Sequence, residues 1–383
     1  MTTARNNLRN AVGAIVFGLV LAVVLVESIP RLLPSLMPAK VRAVQRIYSA
    51  RTSWQEMMRG DPELGFVLRP GLELTFPSEG REISIRTEDL GIEGIGHRDI
   101  GTKPPYTAVA LGDSFTFCDD APAEQCWVRQ LGERMGWSIL DLGVNGYSNL
   151  AEARLLEKVG GALKPSVVLV GFFPNDFKDN VHFYNWSRSG TDDYWTWMRR
   201  KRRSDASDAL ARNSILYRLI DAARRYGKRT TYEHSEDGLE FVFRDDAWWR
   251  GVVARAGVTP TYELTEKAFL DLSAAAEKIG SKLVVLLFPF KEQVYWHVAR
   301  RYMSDGDTLE EADIDGPLLS MGRFLASKGI DYCNLTDDLR AEARTGKQLY
   351  LRAGAHWTDA GNEAAARSIA ACLADKGLDA ASS

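Results

Sequence analysis

The chain has 383 residues, of which 45% are hydrophobic and 26% charged, with a formal net charge of -3. That length leaves room for one large catalytic domain with accessory segments, and the composition is ordinary for a globular protein. The near-neutral balance gives no general electrostatic reason to expect nucleic acid as a partner.

The first thirty residues stand apart. From Ala11 to Val26 there is no charged residue, and Arg5 and Arg9 precede the run. This is the pattern of a signal sequence or an uncleaved signal anchor. The run is short of the ~20 residues a spanning helix needs. Ser28 and Ile29 extend it past Glu27, whose carboxylate would then sit at the interface. No small-x-small cleavage site follows directly; Pro30 and Arg31 come instead. The expectation is an N-terminal transmembrane segment over residues 1–30, with a cleaved signal or a buried soluble helix as alternatives. With the basic flank inside, the bulk of the chain lies outside the cytoplasmic membrane, in the periplasm or at the cell surface. Pro30, Pro34 and Pro38 are expected to cut off the apolar helix, and residues 31–60 to form a stalk.

Residues 61–100 contain several glycines and alternating stretches such as Glu82-Ile83-Ser84-Ile85-Arg86, which read as a β-rich lead-in. Then comes a repeated alternation. Apolar runs at Thr107–Leu111, Ser138–Leu142, Ser166–Phe172, Lys282–Phe288 and Ile330–Leu335 predict strands. Helical stretches are predicted around Glu124–Met135, Leu150–Leu163, Leu264–Ile279 and Asp313–Lys328, with a last helix at Asp359–Leu373. Such alternation implies a parallel sheet covered on both faces, with ligands at the carboxyl ends of its strands. Residues 177–260 interrupt the pattern. They carry Tyr184, Trp186, Tyr194, Trp195, Trp197, Trp248 and Trp249 and the basic run Arg199–Arg203. The aromatics either pack the insertion's own small core or line a sugar or acyl groove. The basic run is either a solvated face or a contact for an anionic surface.

Four cysteines fit an export route. Cys118 and Cys126 are the first pair expected to join, because the loop between them is short; four buried thiols are the alternative. No Cys-x-x-Cys pair occurs, so a zinc site is not expected.

The chemistry gathers at the predicted strand ends. The first strand runs into Gly112-Asp113-Ser114, which presents a serine on the turn into a helix. A serine needs a base, and His356 lies in the loop before the last helix. Acyl transfer also needs oxyanion donors. Gly146, after the second strand, offers a backbone N–H, and Asn175, after the third, a side-chain amide. Serine, glycine, asparagine and histidine in this order resemble the four blocks of the SGNH (GDSL-like) hydrolase family, over residues 61–375. The resemblance implies an α/β fold of three-layer α/β/α, flavodoxin-like type. It also implies Ser114 as nucleophile, His356 as base, and an oxyanion hole of the Ser114 N–H, the Gly146 N–H and the Asn175 amide. It calls for no metal or organic cofactor. The substrate expected is an acyl ester of an envelope glycan or lipid, cleaved by water or passed to a sugar hydroxyl. The His356-Trp357 pair resembles the branch that includes polysaccharide O-acetyltransferases, with Trp357 packing the loop.

The family usually places an aspartate two or three residues before the histidine. Here Gly354 and Ala353 stand there. Three possibilities are open: an acid from elsewhere, with Asp337, Asp338 and Asp359 nearest in sequence; a backbone carbonyl; or a weak or inactive enzyme that survives as a binding protein. His97, His234 and His297 are read as packing or surface residues. His182 is the one to watch, because it follows the third-strand block.

Overall fold

A computed structural model describes residues 2–38, 41–42, 56–202, 209–211, 213–226, 231–244, 260–303 and 309–379. Trp248, Trp249, Arg203, the side chains of residues 199–202 and most of the expected stalk lie outside the described residues. The chain divides into two units, one of residues 1–56 and 198–229, the other of 57–197 and 230–383.

In the first unit a single helix runs Thr2–Leu32. Its segment Asn10–Leu32 spans 23 residues and holds an 18-residue window with a mean hydropathy of 2.6, long and apolar enough to cross a membrane; a signal sequence has the same character. The expectation that Pro30 ends the helix is corrected. Pro30 lies inside it, two residues from the end, where only the Val26 carbonyl loses its donor. Glu27 accepts hydrogen bonds from Ser214 Oγ (2.6 Å) and the N–H groups of Ile215 and Leu216 (both 3.0 Å). It thus caps the helix Ile215–Tyr226 in the way N-terminal acids do.

The second unit is built on five parallel strands, β6 (Ala108–Leu111), β7 (Ile139–Asp141), β8 (Val167–Phe172), β11 (Lys282–Leu287) and β12 (Asp331–Asn334). Their order across the sheet is β12-β11-β8-β6-β7. Counted along the chain this is 2-1-3-4-5 read from the other edge, the flavodoxin-like order, whose switch point lies beside β6. All five fall on predicted runs, trimmed at the ends. Because successive side chains alternate, Ala108, Ala110, Leu169, Val284 and Leu286 face one layer, with Trp127, Leu131, Ala365 and Ile369. The helix Pro260–Lys278 packs on Asn149–Leu163 and Asp176–Ser187, and the helix Asp359–Asp375 packs on Trp127–Met135. These make the two helical layers.

The lead-in is an antiparallel sheet of β1 (Met58–Asp61), β2 (Gly65–Leu68), β3 (Glu73–Ser78), β4 (Arg81–Asp89) and β5 (Gly96–Arg98), in the order β1-β2-β5-β4-β3. The insertion contributes a hairpin, β9 (Thr231–Glu236) and β10 (Leu239–Arg244), which the sequence reading did not resolve. Its turn, Asp237-Gly238, has positive φ at both residues (54° and 79°), the geometry a two-residue hairpin prefers. Among the described aromatics of the insertion, Trp186 and Tyr194 are buried, with ring centroids 5.7 Å apart. Tyr194 also meets Phe66 at 5.3 Å, so these rings form packing rather than an open groove.

Cys118–Cys126 and Cys333–Cys372 are both disulfides. The first is the expected pair, and the buried-thiol alternative is set aside.

Candidate active site

β6 delivers Gly112, Asp113 and Ser114 to the sheet's carboxyl edge. Gly112 has φ 153°, and a Cβ there would collide with the Thr116 side chain and come within 3.3 Å of the Gly171 carbonyl. Only glycine lets the strand turn this sharply. Asp113 then caps the helix Ser114–Phe117, its carboxylate accepting from the Phe115 N–H at 2.9 Å. Ser114 is the first residue of that helix, with its side chain beside a small cavity also lined by Asp119, Asp120 and His356.

His356 comes from the loop before the last helix. Its Nε2 lies 2.8 Å from Ser114 Oγ. Its Nδ1 lies 2.6 Å from Asp120 Oδ2. Phe115 meets the imidazole edge-on at 5.2 Å, and buried Trp357 packs against Phe115 and Phe288 at 5.0 and 4.9 Å, as the sequence reading expected of it.

Asp120 was not foreseen. Of the possibilities left open, an acid from elsewhere is the one found at Nδ1, in place of a backbone carbonyl, but it is none of the three nearest in sequence. Asp359 is turned to Arg81, which grips both its oxygens at 2.6 Å. Asp338 accepts from Ser368 at 2.5 Å, and Asp337 is almost wholly exposed. Asp120 lies six residues after Ser114, between the two cysteines of the first disulfide. Two adjacent aspartates bracketed by Cys118 and Cys126 were the available signal. The lack of an acid at Gly354 therefore no longer argues for an inactive site.

The neighbouring acids divide their charge. Burial pushes Asp119 up to about 8, despite the charges of His356 and Arg98. For Asp120, burial is outweighed by the hydrogen bond and charge of His356 and by the charge of Arg81, so its carboxyl lies below the ordinary range. Burial also works against a charged His356. The Asp120 hydrogen bond, with the charges of Asp119, Asp120 and Asp113, overcomes it and raises the imidazole to about 9. The Asp120 hydrogen bond is the largest of these favourable contributions. Adjacent carboxyls with separated affinities are a recurrent mark of a working site.

The other two blocks close on the same turn. The Val144 N–H donates to the Gly112 carbonyl at 3.0 Å, and Asn145 donates to Asp119. Gly146 follows at the exposed tip of that loop with φ 80°, and no direct bond joins it to Ser114 among the described residues. Asn175 is bound through Asp113. Its Nδ2 donates to Asp113 Oδ2 at 3.0 Å and to Asp179 Oδ2 at 3.2 Å. Burial raises Asp113 even so. His182 stands 3.5 Å from Asp179, one turn along the same helix, and makes no described bond to Ser114. His97 is buried against the Arg98 carbonyl (3.0 Å), and burial lowers it. His234 meets the Tyr302 hydroxyl at 3.1 Å. Burial also lowers His297. No cluster of His, Cys, Asp and Glu fit to hold a metal ion occurs among the described residues.

Residues 242–383 match a family model described as SGNH hydrolase-like domain, acetyltransferase AlgX. The matched segment includes His356 and leaves out Ser114, Asp120 and Asn175. Among solved structures, similarity is found to TesA, at 13% identity and a TM-score of 0.38, covering 71% of this chain and 98% of that one. An acetyl xylan esterase, AlAXEase, is similar at 12% identity and a TM-score of 0.36, with 70% and 99% covered. Est24, a carbohydrate acetylesterase from Sinorhizobium meliloti, is similar at 12% identity and a TM-score of 0.35, with 70% and 98% covered. No curated protein sequence matches.

Proposed function

We propose that the chain breaks acyl esters, with acetyl esters of envelope glycans as the first candidates and lipid esters next. The single observation that supports this reading most is the hydrogen-bonded chain from Ser114 Oγ through His356 to Asp120, at 2.8 and 2.6 Å. In the mechanism it suggests, His356 Nε2 takes the Ser114 proton as Oγ attacks the ester carbonyl. Asp120 holds the ring so that Nδ1 carries its proton inward, and stabilises the imidazolium that forms. The tetrahedral oxyanion is assigned to the Ser114 N–H, the Gly146 N–H and Asn175 Nδ2. Asn175 reaches it by exchanging its bond to Asp179, the more exposed of its two partners. Collapse expels the alcohol, which takes its proton from His356. Water, activated by the same imidazole, then frees the acid and restores Ser114.

A second reading keeps every residue and replaces water with a sugar hydroxyl. The acetyltransferase in the matched family's description favours it. The apolar helix and two disulfides also fit a chain held at a membrane with its catalytic unit in an oxidising, extracytoplasmic compartment.

The test is hydrolysis of p-nitrophenyl esters, from acetate to longer acyl chains, by the full chain in detergent, beside Ser114→Ala. Turnover lost in Ser114→Ala carries the reading. Acetyl transfer to an oligosaccharide faster than release to water would favour the second. No serine-dependent reaction with either acceptor would sink both.

A further inference from the structure

The loops bearing Asp120 and His356 are far apart in sequence, and a 2.6 Å bond joins the acid to the imidazole. Both are gripped from outside by one turn of the lead-in sheet. β3 and β4 close on the pair Ser78 and Arg81, which leaves Glu79 and Gly80 as a two-residue turn with φ 36° and 95°. A positive φ is costly for glutamate, where asparagine or glycine is the ordinary choice. Its carboxylate gives a reason for the exception. Glu79 Oε2 accepts from the Arg352 N–H at 2.8 Å and Oε1 from the Ala353 N–H at 2.7 Å. Those are the amides three and four residues before His356. Two residues on, Arg81 Nη2 donates to the Asp120 carbonyl at 2.9 Å while the guanidinium holds Asp359, the first residue of the last helix.

We propose that this turn is a strap that sets the imidazole and its acid in register, with Glu79 and Arg81 as positioning residues; the proposal rests on the ester reading for its kinetic test only. The strap acts against fixed points. Buried Lys291 holds the inner side of the histidine loop through the carbonyls of Arg352 and Gly354, both at 3.1 Å. Buried Arg98, from β5, holds the acid loop through the carbonyls of Cys118 (2.5 Å) and Ala121 (2.6 Å). The lead-in sheet thereby does for Asp120 and His356 what short sequence separation does where acid and histidine share one loop. Glu79 is exposed and Arg81 half-exposed, so both contribute little to stability and their effect falls on geometry. A displacement of about 1 Å at such a site costs on the order of 10²-fold in rate.

The experiment compares the full chain in detergent with Glu79→Ala, Arg81→Lys, Asp120→Asn and Ser114→Ala. Arg81→Lys keeps the charge and loses the fork that spans Asp359 and the Asp120 carbonyl. Two quantities are read: kcat and KM on p-nitrophenyl acetate, and the low-field proton resonance of His356 Nδ1–H. The expected result is a fall in kcat of about 10- to 100-fold in both strap variants, with KM little changed. The low-field resonance should be lost or broadened in both, as in Asp120→Asn. If Ser114→Ala abolishes turnover while both strap variants keep the wild-type kcat and resonance, the strap is wrong and the ester reading stands. If the wild-type chain has no turnover, the ester reading fails, and the resonance alone decides the strap: unchanged in both variants, it overturns the proposal.

Discussion

Replacing Asp120 with asparagine removes the charge next to Nδ1 and leaves the shape of the side chain. Asp120 and His356 are each 24% exposed, so the pair is only partly screened by water. The difference between the ordinary imidazole value of 6.5 and about 9 corresponds to about 3 kcal/mol of preference for the charged ring. The same preference stabilises the imidazolium formed as Ser114 attacks, so its loss lowers kcat by about 10²- to 10³-fold. The sign with pH is also fixed. His356 must be neutral to accept the proton, so kcat/KM of the free wild-type chain rises with pH through a limb near 9. In Asp120→Asn, burial acts on the ring without its main opponent, and the limb moves down, toward or below 6.5. Both are read from initial rates of p-nitrophenyl acetate hydrolysis between pH 5 and 10. Asp120→Asn within twofold of wild type, with an unmoved limb, would refute the role given to Asp120.

Three further outcomes are expected. Asn175→Ala should cut kcat by about 10²- to 10³-fold with little change in KM, because an oxyanion donor acts in the transition state; a raised KM with unchanged kcat would assign Asn175 to substrate binding instead. Replacing Cys118 and Cys126 together by serine opens a loop of eight residues' separation and should lower unfolding stability by about 2–3 kcal/mol in denaturant titration. It should also lower kcat, since that loop carries Asp120; unchanged kcat would separate the bond from the site. Glu152 is buried, and burial pushes it up to about 8 although Asn149 donates to it at 3.1 Å. The folded chain therefore holds a proton there that the unfolded chain releases near 4.5, and stability from this group falls as pH rises between those values. Glu152→Gln should flatten the decline of the thermal midpoint across that window, and an unchanged slope would show Glu152 ionised in the folded chain.

The sheet was legible because buried parallel strands leave short β-branched runs such as Val167–Phe172, separated by helical stretches at regular spacing. Ser114 and His356 were legible because each sits where a strand or helix end meets the crevice, in a short distinctive context. Asp120 was not. It lies in the loop closed by Cys118–Cys126, whose carbonyls accept from Arg81 and Arg98 of the lead-in sheet, and none of these contacts leaves a periodic trace. The strap was hidden for the same reason: Glu79 and Gly80 read as an ordinary hairpin turn. The hairpin β9–β10 was missed because the aromatic, charge-rich insertion offered no clean alternation over its neighbours. Pro30 was misjudged because proline disrupts a helix through the preceding turn, and so near the helix end the loss is a single carbonyl's donor.

The central claim is that Ser114 is a nucleophile activated by His356. The most direct measurement is intact-mass and peptide analysis of the full chain after reaction with diethyl p-nitrophenyl phosphate. The expected result is one diethylphosphoryl adduct per chain, located on Ser114, absent in Ser114→Ala and slowed by orders of magnitude in His356→Gln. An unmodified chain, or an adduct on another residue that persists in Ser114→Ala, would contradict it.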